Sequence, residues 1–135
     1  MSDRNQQIIE EFRANEGRVG GFFANGRIVL LHTTGAKSGK ERINPLVTLE
    51  DGSRLIVVAS KGGAPTNPDW YYNVVANPMV SVEYGKEAFQ AHATIASEPE
   101  RTELYAKMAG KYPFFAEYEE NTTRVIPIVI LSRLV

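Results

Sequence analysis

Hydrophobic positions along the chain follow two rhythms, strand-like runs over most of its length and helical stripes in shorter pieces. Ile8, Ile9 and Phe12 form a short apolar stripe among charges and predict a helix over 4–15, ended by Asn15-Glu16-Gly17. A glycine-rich link then runs to Gly26. The unbroken run Ile28-Val29-Leu30-Leu31 predicts a buried strand over 27–34. A turn at 35–39 leads to a partner strand over 42–49. Asp51-Gly52 is a hairpin signal, and Leu55-Ile56-Val57-Val58 predicts a third strand over 54–60. Residues 27–60 thus read as an antiparallel meander. Counting its reversals puts the 35–39 turn and the loop after Ser60 at the same end of the sheet.

Beyond that loop, Asn67 has the chemistry of an N-cap, Pro68 suits a first helical position and Asp69 a first turn. The helix they predict runs through Val75 and stops at Asn77-Pro78, with Trp70, Asn73 and Asn77 on one face. Strands over 80–84 and 87–95 form a hairpin around Gly85-Lys86. Residues 98–110 predict a helix with Ser97 as N-cap and Pro99 near its start, and a further helical piece spans 114–121. The last strand covers 125–134, where Pro127 marks either a sheet edge or the strand's first residues. About six mostly antiparallel strands with four short helices make an α+β, barrel-like sheet. At 135 residues, without repeats or low complexity, the chain reads as one domain, 1–26 preceding a barrel over 27–135.

Charge and composition narrow the chemistry. The net charge is −1, which argues against a nucleic-acid surface and makes local cation clusters read as sites. There is no cysteine, so disulfides, thiol catalysis and cysteine-based metal centres are excluded. The polar N-terminus does not resemble a signal peptide, and no apolar run reaches the length of a membrane span. A soluble cytoplasmic protein without stable membrane insertion is expected. The N-terminal helix could pack on the barrel, cover a site or touch a membrane surface; its Glu10 and Glu11 favour packing.

Two loops carry the unusual residues. Gly35-Ala36-Lys37-Ser38-Gly39-Lys40-Glu41-Arg42 holds glycines, cations and a hydroxyl between two strands. It is not a phosphate-binding P-loop, because Thr34 and Glu41 stand where that motif requires glycine and Ser/Thr, and because a strand follows it. It remains either a solvated turn or one that offers amides and cations to an anion. Ser60-Lys61-Gly62-Gly63 repeats the pattern as either a plain connection or a second wall of the same site. Asn44-Pro45 reads as an edge or bulge, or as a bulge aiming groups at that site. Trp70, the sole tryptophan, reads first as core. His32 and His92 lie in apolar strands as packed residues. No metal-ligand spacing and no Gly-x-Ser-x-Gly motif is present.

The combination Leu30-Leu31-x-Thr33-Thr34-Gly35-x-Lys37-Ser38-Gly39-x-x-Arg42, Asn44-Pro45-Leu46, Ala59-Ser60-Lys61-Gly62-Gly63 and Asn67-Pro68-x-Trp70-Tyr71-x-Asn73 resembles the deazaflavin-dependent nitroreductase and quinone reductase family of actinobacteria. Asn77-Pro78, Tyr112-Pro113, Tyr118 and Ile126-Pro127-Ile128-Val129 extend the resemblance from about residue 27 to the end. It implies a split β-barrel of the flavin-binding type and the cofactor coenzyme F-420, whose phosphodiester carries an oligoglutamate tail. It also implies that Ala36, Lys37 and Ser38 meet the phosphate and tail, helped by Arg42. Ile43, Asn44, Pro45, Leu46 and Val47, with Val58, Ala59, Ser60 and Lys61, would line the ring system. Asp69, Trp70, Tyr71, Tyr72 and Asn73 would close the pocket.

The same resemblance implies hydride transfer from the reduced deazaflavin to a small-molecule electron acceptor, a quinone or related electrophile. Ser60, Tyr112 and Tyr118 are then candidate proton donors. The best-studied nitroreductase-like members carry tyrosine where Phe115 and Val47 stand, on what the resemblance implies is the acceptor side of the pocket, so nitroaromatic reduction is expected to be weak or absent. Ala36 replaces a frequently basic residue. An FMN-dependent reductase on the same barrel and a non-catalytic F-420 carrier stay open as alternatives, as do a homodimer and a peripheral membrane contact.

Overall fold

A computed structural model describes residues 3–20 and 27–134; part of the expected glycine-rich link, 21–26, lies outside the described residues. The elements are α1 (Asp3–Ala14), β1 (Arg27–Thr34), β2 (Glu41–Asp51), β3 (Arg54–Val58), α2 (Asp69–Ala76), β4 (Met79–Tyr84), β5 (Glu87–Ile95), α3 (Glu100–Lys111), α4 (Phe114–Glu120) and β6 (Ile128–Arg133), with a 3₁₀ turn at Lys61–Gly63. The strands close into a barrel in the order β1-β2-β3-β6-β5-β4, every neighbour antiparallel.

The seam between β2 and β3 is narrow. β2 pairs with β1 from Glu41 to Thr48 but with β3 only from Leu49 to Asp51. The first two-thirds of β2 therefore has one sheet edge without a strand partner, which splits the barrel there. Pro45 lies in this segment, opposite Leu30 of β1, where a missing amide removes no bond to β3. The early Asn44-Pro45 interruption is thus an edge, with continuous register and no bulge.

Alternation along the strands divides the core into three. Val29, Leu31, Leu55, Val57, Val129 and Leu131 point into the barrel, closed at one end by Trp70 and Val74 of α2. Ile56, Val58, Ile128 and Ile130 face outward onto Leu104, Tyr105, Met108, Tyr112 and Phe115 of the α3–α4 region. Ile28 and Leu30 face outward on the other side, where Ile9 and Phe12 of α1 cover them. β1 is an unbroken apolar run because both its faces are buried. No helix among the described residues is long and apolar enough to cross a membrane.

Four local expectations change. β3 stops at Val58, and Ala59 and Ser60 begin the loop. Asn67 does not cap α2; its side-chain oxygen accepts a hydrogen bond from Arg124 instead. Ser97 gives α3 only its carbonyl, to Arg101 N, while Glu98 Oε1 accepts from Thr102 N and Oγ1. β6 begins after Pro127 and is not an edge, since β3 and β5 flank it. Pro127 contributes its carbonyl, which accepts from Ala59 N.

Candidate active site

At the end of the barrel capped by α2, a cleft of about 990 Å³ opens between the β1–β2 turn, the Lys61–Gly63 turn and the start of α2. This is the meeting of loops that the meander predicts. Ala36, Lys37 and Ser38 line it from one turn and Lys61 from the other. Arg42, Ile43 and Asn44 line it along β2, and Asp69, Trp70, Tyr72 and Asn73 from α2. Lys37, Arg42 and Lys61 face Glu41 and Asp69 as the charged lining, so cations outnumber carboxylates.

The β1–β2 turn is held from within and from α2. Gly35 N donates to Lys40 O at 2.8 Å and Gly39 N to Gly35 O at 2.9 Å, while Ser38 Oγ accepts from Lys40 N. Gly39 has φ +70, a left-handed conformation that glycine adopts without strain. Asn73, buried on the inner face of α2, accepts from Ala36 N at 3.0 Å and donates to Thr33 Oγ1 at 3.1 Å. One carboxamide thereby fixes the helix to the turn, with both of its ends satisfied.

The opposite loop is strained. Lys61, Gly62 and Gly63 have successive φ values of 47, 64 and 82, and for lysine this conformation is costly. A Cβ on Gly63 would come within 2.9 Å of the Tyr118 carbonyl, so glycine there lets α4 close on the loop. Lys61 Nζ bonds Thr66 Oγ1 at 3.2 Å.

Trp70 is both core and site. It is 4% exposed, packs among the barrel-interior side chains and still contributes to the cleft wall. Tyr72 is 50% exposed at the cleft, with its ring edge-on to Tyr71. Tyr71 itself leans on the barrel interior.

The remaining sequence candidates do not line the cleft. Leu46 and Ala59 belong to the barrel interior, Val58 to the α3–α4 core, and Val47 packs where the α1 and α3–α4 cores meet. Pro45 sits in the β1 ladder. Ser60 is nearly buried beside Lys61, and its carbonyl accepts from Gly63 N. Tyr118 lies half-buried on α4 against the Lys61–Gly63 turn. Tyr112 is removed from the cleft: its hydroxyl accepts from Arg27 N at 3.1 Å and donates to Thr48 O at 3.0 Å, so its one proton is engaged in the fold. Phe115 is 2% exposed among Tyr105, Tyr112, Phe114 and Tyr118.

Four lining residues, Asn5, Gly35, Glu41 and Pro68, are not among the expected site residues, and two of them bring in other parts of the fold. Asn5 of α1 lines the cleft, so the N-terminal helix reaches the site as well as packing on the barrel. Glu41, a member of the anion-binding turn in sequence, lines the cleft and meets His32 Nδ1 at 3.3 Å. His32 Nε2 in turn lies 2.6 Å from Glu83, which a two-pronged pair with Arg13 ties to α1. Arg13 first, then His32, hold the Glu83 carboxyl below its ordinary value. No apolar pattern marks this network, because its members are spread over α1, β1, β2 and β4.

Residues 4–133 match the family model described as F420H(2)-dependent quinone reductase. The chain belongs to this family. An F420H(2)-dependent quinone reductase of Mycobacterium tuberculosis is 36% identical over 129 residues, spanning 90% of this chain and 85% of that protein. Among solved structures, an F420-H2 dependent reductase (FDR-A) is 44% identical with TM-score 0.72, covering 78% of this chain and 93% of its own. A structure described as a domain-swapped dimer is 39% identical with TM-score 0.74, covering 96% of this chain and 98% of its own. The six-stranded split barrel is thus the family's fold, as the motifs around Lys37 and Lys61 imply.

Proposed function

We propose that the protein is an oxidoreductase that uses reduced coenzyme F-420 to reduce a quinone or similar small electrophile. The observation that carries this reading is the single cleft in which Lys37, Arg42 and Lys61 converge beside Trp70, in a chain of the F420H(2)-dependent quinone reductase family. A large anionic heterocycle suits that lining: cations for the phosphate and tail, and an apolar indole wall for the rings. When bound, the reduced deazaflavin supplies a hydride. The chain's part is to orient the rings against Trp70, Ile43 and Asn44, to exclude water and to provide a proton.

Ser60 and Tyr118 are the proton donors this reading favours, because both adjoin the Lys61–Gly63 turn whereas the Tyr112 proton is engaged at Thr48. Lys37 and Ser38, with the Ala36 region, would hold the phosphodiester and tail. Nitroaromatic reduction is expected to be weak or absent in this reading. The domain-swapped dimer among the similar structures supports a dimer here too. A cytoplasmic enzyme meeting its acceptor from solution goes with this reading, since α1 places Ile9 and Phe12 on the barrel rather than on a lipid surface.

Titration of the purified protein with F-420 and, separately, FMN tests the cofactor through quenching of Trp70, the only tryptophan. Saturable quenching by F-420 without a response to FMN is the expected result, followed by reoxidation of reduced F-420 on adding a soluble benzoquinone. Binding of FMN in preference would overturn the reading. Binding of F-420 without turnover of any quinone would select the non-catalytic carrier.

A further inference from the structure

Arg124 lies between α4 and β6, outside the cleft, yet its guanidinium makes four hydrogen bonds to one loop. Nε donates to Ala64 O at 2.9 Å, Nη2 to Ser60 O at 2.6 Å, and Nη1 to both Ala59 O at 3.2 Å and Asn67 Oδ1 at 2.7 Å. These acceptors bracket the loop from the end of β3 to the entry of α2. Within the bracket sit the three consecutive left-handed residues, Lys61, Gly62 and Gly63. A lysine in that conformation persists only where its surroundings over-determine it. Local bonds cannot do this alone: inside the loop there are only Gly63 N to Ser60 O, Ala64 N to Lys61 O and the Lys61–Thr66 side-chain bond. Three of the loop's carbonyls and one side-chain oxygen instead converge on a single planar fork, a geometry arginine matches and lysine does not.

We propose that Arg124 is a positioning residue for the ligand site: by gathering the 59–67 loop it holds Lys61 in the cleft, and so sets the affinity for the anionic ligand without touching it. The inference rests on the functional reading above, in which Lys61 faces bound F-420. Its signature is coupling. If Arg124 acts through Lys61, removing both side-chain functions costs no more affinity than removing one.

The experiment is a double-mutant cycle of F-420 binding, followed by Trp70 fluorescence, in the wild type, Arg124→Lys, Lys61→Ala and the double variant. Arg124→Lys keeps the charge and the apolar stem but cannot span four acceptors. Each single variant is expected to weaken binding by about fivefold or more, and the double by no more than the worse single. Asn67→Ala, which removes one acceptor only, gives a milder loss in the same direction. Cofactor-free protein supplies a second readout: tryptic cleavage after Lys61, located by mass spectrometry, should quicken in Arg124→Lys relative to cleavage at other sites. Wild-type affinity in Arg124→Lys, fully multiplicative losses in the double variant, or unchanged cleavage at Lys61 would each overturn the proposal. If the wild type fails to bind F-420, the functional reading fails instead, and the cleavage rate alone decides whether Arg124 holds the loop.

Discussion

The side-chain carbonyl of Asn73 on α2 accepts a hydrogen bond from the backbone amide of Ala36 at 3.0 Å, joining the two walls of the cleft through one buried carboxamide. Its amide end reaches Thr33 Oγ1, so replacing it leaves the partly buried Ala36 amide and the buried Thr33 hydroxyl short of a partner. Asn73→Ala is expected to destabilise the protein by about 1–3 kcal/mol. It should also weaken F-420 binding, because the Ala36–Ser38 turn is released from the helix. Thermal unfolding and a cofactor titration check the two effects; unchanged binding in a folded variant would separate α2 from the anion-binding turn.

Three cations against two carboxylates in the cleft predict affinity that depends on salt. Lys37→Ala and Arg42→Ala should each weaken F-420 binding by roughly three- to tenfold at low ionic strength, as expected for loss of a charge-assisted contact. The difference from wild type should narrow as NaCl rises toward about 0.5 M, since the exposed charges are screened over a few ångströms there. Truncating the oligoglutamate tail should reduce the penalty of the Lys37 substitution if Lys37 meets the tail. An unchanged penalty would place Lys37 on the phosphodiester.

The barrel was legible because its strands alternate, or run apolar where both faces are covered, and because its turns carry Gly35, Gly39 and Asp51-Gly52. The joining of the Lys37 and Lys61 loops followed from counting reversals alone. What stayed hidden depends on contacts between residues far apart in the chain. Asn67 has the chemistry of a helix cap, yet Arg124 claims its side-chain oxygen. Pro127 has the chemistry of an edge, yet it precedes a strand flanked on both sides. Tyr112 sits in a motif that suggests a donor to a ligand, but its phenol closes the β2 edge at Thr48. Asn5 could not be placed at all, because a single polar residue on an amphipathic helix does not say which way the helix lies.

Phe115, expected from the family resemblance on the acceptor side of the pocket, lies away from the cleft. Its ring is 2% exposed and sits within 6.4 Å, centroid to centroid, of Tyr105, Tyr112, Phe114 and Tyr118. Phe115→Tyr adds a hydroxyl to that cluster rather than to the open cleft. The variant should lose about 1–3 kcal/mol of stability, the cost of burying an unpartnered polar group. It should show no gain in reduction of a nitroaromatic probe. Faster nitro reduction at unchanged cofactor affinity would mean that the aromatic cluster opens to the acceptor during turnover.

Glu83 makes the docking of α1 sensitive to acid. The bidentate bond from Arg13 lowers its carboxyl from an ordinary value of 4.5; burial opposes this, and the weaker bond from His32 adds to the lowering. A carboxylate whose folded value is lowered adds stability at pH above 4.5, and that stability is lost as pH falls through the folded value. Wild type should therefore be more stable than Glu83→Gln at pH 6–7, with the gap closing below about pH 4.5. Arg13 and Asn5 share α1, and Asn5 lines the cleft, so loosening the helix should also reach the ligand. Glu83→Gln is expected to weaken F-420 binding at pH 7 although Glu83 is absent from the cleft wall. A Glu83→Gln protein with wild-type affinity and a wild-type acid profile would show that α1 stays docked through Ile9 and Phe12 alone.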